Sequence, residues 1–195
     1  MIIVASGPSA RGFVPPDDVP IIAVNGAIDW ISRADYWFTL DTSTANLNRV
    51  HNPRSGVQYC AAVPPERHLP PHVRRFDRVG YDWANYPPAP AYTVGWWLRR
   101  LSCKPGLSTD PATIHTGNSS YGALGLAYHL GARRVVLVGV DATNDRRVEG
   151  GRSRELKHLP SLFASALPQV EIVSCGALDS VPQARFEDAV AWLRR

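Results

Sequence analysis

Four short runs constrain this chain more than any other feature. "MIIVAS" (1–6), "PIIAVN" (20–25), "RRVVLVGV" (133–140) and "VEIVSC" (170–175) are rich in Val and Ile, and glycines, prolines or polar residues bound them. None alternates apolar with polar residues, as a strand with one wet face would. A strand that is apolar throughout needs cover on both faces, which a parallel sheet with crossover helices supplies. "DYWFTL" (35–40) and "GVQYCAA" (56–62) are weaker strands of the same kind. The expectation is a three-layer, Rossmann-like α/β fold with a mostly parallel sheet.

Helical spacing separates the strands. In "SSYGALGLAYHLGA" (119–132), Tyr121, Leu124, Ala127, Tyr128 and Leu130 form an apolar stripe, with Gly131 as a C-terminal stop. "RELKHLPSLFASAL" (154–167) reads as helical in part, with Pro160 suited to a first turn. "PQARFEDAVAWLRR" (182–195) repeats Phe186, Val190 and Leu193 at helical spacing and ends in two arginines that suit the helix dipole. Residues 64–112 break the rhythm. They hold most of the 17 prolines and the aromatic stretch "YTVGWWLRR" (92–100), and read as a loop-rich insertion over one end of the sheet. At 195 residues the chain is expected to form one domain.

Composition narrows the function classes. With 45% hydrophobic and 19% charged residues the chain is globular rather than disordered. No segment approaches the roughly 18 consecutive apolar residues of a membrane span. The first apolar run is too short and lacks the basic flank of a secretion signal. A soluble, cytoplasmic protein is expected, in the host cytoplasm if the chain is phage-encoded, with no membrane partner. Cys60, Cys103 and Cys175 lie far apart and form no CxxC or Cys/His pattern, so neither a zinc site nor a disulfide framework is expected. The net charge of +4 suits an anionic ligand, but the basic residues fall in scattered pairs and do not require nucleic acid.

In an open parallel sheet, ligands bind beyond the carboxyl ends of the strands. Small polar clusters stand at those ends: Gly7-Pro8-Ser9, Asn25-Gly26, Asp41-Thr42-Ser43 and Gly139-Val140-Asp141. Thr116-Gly117-Asn118-Ser119-Ser120 precedes the strongest helix. Gly7-Pro8-Ser9 would either offer N–H groups and a hydroxyl to phosphate oxygens or form a plain turn. It lacks both the Lys of a Walker loop and the spacing of a GxGxxG fingerprint. The Asn25 amide can donate to a phosphate or base and accept from a ribose hydroxyl. Asn118 or Ser119 would cap the helix, which is compatible with anion binding there. Asp41 and Asp141 would bind ribose hydroxyls, hold a divalent metal or act as a base. There is no Asp-x-Asp pair, and no dedicated metal site is expected. Of six histidines, His158 stands out, because it follows a loop rich in Arg and Gly, "DRRVEGGRSRELK" (145–157), that could fold over a site.

Together "IIVASGPSA", "IIAVNGAIDWISRADYWFTLDTS" and "TGNSSYGALGLAYHLGARRVVLVGVDAT" resemble a group of phage and prophage proteins of unassigned function. The pattern also resembles bacterial lipooligosaccharide sialyltransferases and, more distantly, flagellin-modifying glycosyltransferase-like proteins and archaeal 6-hydroxymethylpterin pyrophosphokinases. The resemblance covers the first 45 residues and 113–195, not the Pro-rich middle. It implies that Gly7, Pro8 and Ser9 line the nucleotide phosphates, and that Asn25 holds the nucleotide or sugar. It also implies that Asn118 and Ser119 approach the nucleotide from the helix start, that Asp141 closes the site, and that His158 stands where the sialyltransferases carry their catalytic histidine. Those enzymes bind the leaving phosphate with two tyrosines after the Gly-x-Asp strand. Residues 142–157 here hold none, and Arg146, Arg147 and Arg152 would take over that charge.

The expected function is therefore transfer of a sugar from a nucleotide sugar to a hydroxyl acceptor, DNA or glycan. His158 would be the general base, and Asp41, Thr116 and Gly117 would join the nucleotide-binding set. No tightly bound cofactor is expected, and a homo-oligomer is compatible with the sequence. The alternatives are an ATP-dependent diphosphate transferase with Mg²⁺ held by carboxylates such as Asp41 and Asp141, and a non-catalytic nucleotide-binding protein.

Overall fold

A computed structural model describes residues 1–81, 88–152 and 156–195. The six expected strands all form: β1 (Ile2–Val4), β2 (Ile21–Val24), β3 (Tyr36–Thr39), β4 (Gln58–Ala61), β8 (Arg134–Val138) and β9 (Glu171–Ser174). The elements between them are α1 (Thr44–His51), β5 (Arg74–Arg75), β6 (Asp77–Val79), α2 (Val94–Arg100), β7 (Thr113–His115), α3 (Ser119–His129) and α4 (Leu159–Ala164), with α5 (Phe186–Leu193) last. The central sheet has seven strands in the order β5-β4-β3-β2-β1-β8-β9, and every pair is parallel. No helix among the described residues is long and apolar enough to cross a membrane.

Continuous apolarity is explained by two cores, one on each face. Ile3, Ile22, Phe38 and Leu137 face a cluster completed by α3 and α4. Val4, Ala23, Trp37 and Tyr59 lie side by side in register across four strands and face the opposite cluster, which Val50 of α1 and Val190 of α5 close. Successive side chains point to opposite faces, so each strand feeds both cores. This is the expected three-layer α/β arrangement.

Helix α3 is buried along eight consecutive residues, Ser120 to Ala127. It therefore exceeds the one-sided stripe of the sequence, because the sheet covers one side and β7 another. Close approach to the sheet requires Gly122, where an added Cβ would lie 2.6 Å from Phe38. The helix ends as expected at Gly131, with φ of +83°. Gly131 N donates to Tyr128 O and Ala132 N to Ala127 O, which together form a Schellman stop.

One expectation is adjusted. Residues 64–112 do not simply lie over the sheet. Arg74–Arg75 adds its edge strand to β4, and β6 pairs in parallel with β7 as a separate two-stranded sheet. The partial helix expected within 154–167 forms as Leu159–Ala164, with Pro160 in its first turn; residues 153–155 lie outside the described residues.

Candidate functional site

The strand order places a topological switch between β1 and β8. From β1 the chain runs outward through β2, β3, β4 and β5, then returns to add β8 and β9 on the other side. A crevice forms at the carboxyl ends where crossovers depart in opposite directions. There a cavity of about 100 Å³ is lined by Gly7, Pro8, Asn25, Asn118, Ser119 and Asp141 of the expected set. Thr143, Asp145, Arg147 and Glu149 line it too. These four positions, at a spacing of two, lie on the segment after β8, the strap, which bends at 142–143 and turns at 148–149. That period is visible in "TNDRRVE" (143–149), but no strand-like apolarity drew attention to it.

The residues at the switch fall into two units. In the first, Asp141 is an acceptor shared by three strand ends. Its Oδ2 accepts from Ser9 N at 3.0 Å and from Ser9 Oγ at 2.9 Å, and its Oδ1 accepts from Ala177 N at 2.8 Å. Gly7 N donates to Gly139 O at 2.8 Å, and Gly139 N donates to Ser9 Oγ at 3.1 Å. Three glycines are demanded by this closeness. A Cβ on Gly7 or on Gly176 would lie 2.2 Å from an Asp141 carboxylate oxygen. A Cβ on Gly139, at φ of +69°, would lie 2.1 Å from Ala5 O. The donors expected for phosphate are thus engaged within the protein, since Pro8 has no N–H and those of Gly7 and Ser9 have acceptors. Gly7-Pro8-Ser9 and Asp141 shape the cavity wall as a clasp. Ser9 itself faces the neighbouring cavity.

The second unit leaves donors facing the cavity. Asn25 follows β2 with φ of +50°, a left-handed conformation that Asn tolerates. Its Oδ1 accepts from Thr39 Oγ1 at 2.7 Å and from Asn46 Nδ2 at 3.2 Å. The Asn46 amide is itself oriented, because Arg49 Nη1 donates to Asn46 Oδ1 at 2.6 Å while Arg49 binds Asp29 through two nitrogens. The chain Asp29, Arg49, Asn46, Asn25 therefore holds the Asn25 oxygen toward the protein, and Asn25 Nδ2 has no acceptor among the described residues. Across the cavity, Asn118 caps α3 by accepting from Ser120 N at 2.8 Å, and the N-terminal end of this eleven-residue helix carries its positive dipole to the same place. Arg147 adds a guanidinium.

Four expected site residues line neither this cavity nor the open one beside it. Asp41 supports the Asn46 amide, with Nδ2 3.2 Å from its Oδ2, and accepts from Ser43 N at 2.9 Å. Thr116 is buried and donates to Ser102 O. Gly117 packs where a Cβ would meet Cys103 and Leu162 at 2.9 Å. His158 is 0% exposed, and neither ring nitrogen has a partner among the described residues. Burial pushes its imidazole down to about 4. Leu156 and Leu159 on either side of it line the cavity while His158 does not. As placed, the imidazole does not meet a ligand there. Asp41 and Asp141 belong to separate hydrogen-bonded units, and no cluster of three potential metal ligands occurs among the described residues.

No protein-family model matches the chain, and no curated protein or solved structure matches it significantly.

Proposed function

We propose that the chain holds the phosphate end of a nucleotide or nucleotide sugar at the β1/β8 switch point and acts as a glycosyltransferase-like protein. The observation that carries this reading is the convergence of three donors on one small cavity: the oriented Asn25 Nδ2, the N-terminus of α3 and the Arg147 guanidinium. A cavity of about 100 Å³ suits a phosphate-sized group, whereas whole organic ligands need about 300–1,000 Å³; the nucleoside or sugar extends past the strap. Phosphate takes charge-assisted hydrogen bonds from such donors and is favoured by the helix dipole. Asp145 and Glu149, on the strap, offer acceptors to sugar hydroxyls. Sugar transfer then leaves negative charge on the departing phosphate, which the same donors stabilise. His158 has no part in this step, because its imidazole lies outside the cavity.

Diphosphate transfer is the weaker reading, since the carboxylates it would join on Mg²⁺, Asp41 and Asp141, are committed to different neighbours. A thermal-shift panel of nucleotides and nucleotide sugars, with and without Mg²⁺, tests both. A binder at a hundredfold excess over Kd stabilises the fold by about 2.7 kcal/mol. Stabilisation by nucleotide sugars without Mg²⁺ is expected. Stabilisation by ATP alone, and only with Mg²⁺, would favour diphosphate transfer, and no shift with any compound would overturn nucleotide binding.

A further inference from the structure

A second cavity opens on the other side of the clasp, beside the carboxyl end of β9. It has a volume of about 590 Å³, within the range of cavities that take whole organic ligands. Pro8, Asp141, Thr143 and Asp145 line both cavities. The two cavities therefore share a rim, and a sugar that extends past the strap from the first can come into direct contact with a ligand in the second, as a bimolecular transfer needs.

We propose that the open cavity receives the acceptor, a neutral saccharide whose hydroxyl reaches the nucleotide-bound sugar past Asp145. This inference rests on the nucleotide reading of the first cavity. The wall chemistry selects the acceptor class. Ser9 and Asp141 are engaged with each other, leaving Asp145, the exposed Gln183 amide and Arg185 to meet a ligand. Arg185, the single basic residue among those lining the cavity, is bonded to Asp188 at 3.2 Å. A polyanion such as DNA needs a track of unpaired cations, and this cavity supplies none among its described residues. Amide and carboxylate groups beside small residues (Ser174, Gly176, Ala177) suit the hydroxyls of a sugar. In the transfer, the acceptor oxygen bonds to the anomeric carbon and the bond from that carbon to the phosphate oxygen breaks. The electron pair leaves on the phosphate, and the hydroxyl proton passes to the Asp145 carboxylate.

Cys175 makes occupancy measurable. It lines this cavity half-buried, whereas Cys60 and Cys103 are buried. Burial raises the Cys175 thiol to about 11, and the thiolate is the reactive form. A slow alkylation, followed over time by mass spectrometry, is therefore compared without addition and with lactose, maltose, a single-stranded oligonucleotide, or nucleotide alone. The disaccharides are expected to slow labelling several-fold. Ala184→Trp, which fills the cavity, should abolish that protection and leave the nucleotide thermal shift intact. Gln183→Ala, at an exposed position where substitutions cost little stability, should weaken protection. Asp145→Asn, which keeps the shape and a hydrogen-bonding oxygen, should weaken both ligands no more than severalfold and lower transfer by about 10²–10⁴-fold. Equal protection by nucleotide alone would make this cavity the nucleoside site and overturn the inference. Protection by the oligonucleotide but not the disaccharides, or by no probe, would overturn it as well. Saccharide protection without any nucleotide shift would keep the saccharide site and overturn the nucleotide reading.

Discussion

The clasp at Ser9 and Asp141 and the amide pair at Asn25 and Asn118 are built from the same residue types. Both combine a strand end or helix start with glycines and short polar side chains, and Asp141, Asn25 and Asn118 line one cavity. They differ in where their hydrogen bonds go. In the clasp, the carboxylate accepts three donors from two other strand ends, and the glycines exist to let them close. At Asn25 the oxygen is engaged and the nitrogen faces outward. A buried polar cluster whose members satisfy one another stabilises, while one with an oriented spare donor can recognise a ligand. Motif chemistry alone does not separate these cases.

The largest effects should come from forcing the clasp open. Gly139→Ala adds strain at positive φ and a clash with backbone, and should cost more than about 4 kcal/mol or prevent folding; chemical denaturation of the soluble fraction is the measurement. Asp141→Ala leaves the Ser9 and Ala177 donors without their acceptor and should cost about 3 kcal/mol. If Asp141→Ala left the denaturation midpoint unchanged and removed ligand binding, the clasp would belong with the recognition unit and the comparison would be inverted.

A pH effect of similar size is expected from His158. Its folded pKa of about 4 lies below the usual 6.5, so between those values the unfolded chain binds more protons. The contribution is complete above about pH 6.5, is lost as pH falls, and levels off below about 4; the span corresponds to about 3 kcal/mol. His158→Leu should flatten that part of the stability profile. Turnover that followed His158 protonation with no change in stability would instead return the imidazole to catalysis.

Smaller effects should mark the recognition side. Asn46→Ala leaves the Asn25 oxygen, still held by Thr39 Oγ1, without its second donor and removes the acceptor of Arg49 Nη1, with an expected cost of about 1–2 kcal/mol and weaker nucleotide binding. Asn25→Gly keeps the left-handed backbone comfortable and removes the donor. Thr39 Oγ1 and Asn46 Nδ2 lose one of their acceptors, so stability should fall by about 1 kcal/mol, while nucleotide affinity falls by about tenfold, read by calorimetry. A large loss of stability with unchanged affinity would place Asn25 in the scaffold.

The sheet, its parallel sense and its two-sided cover were legible in the sequence, because Val- and Ile-rich runs without polar alternation have no other economical burial. The helix stop at Gly131 and the helix start at Pro160 were legible for the same local reason, being set by backbone geometry within a few residues. Which strand ends would converge was also accessible, through the rule for open sheets. The use made of each polar group was not. Ser9 and Asp141 stand 132 positions apart, and Asn25 is oriented by Asn46 and Arg49 of a helix whose sequence drew no attention. His158 follows a flexible-looking loop yet is sealed in the interior. Hydrogen-bond partners and burial arise from contacts distant in sequence, so only the tertiary structure decided which polar groups close the fold and which face a ligand.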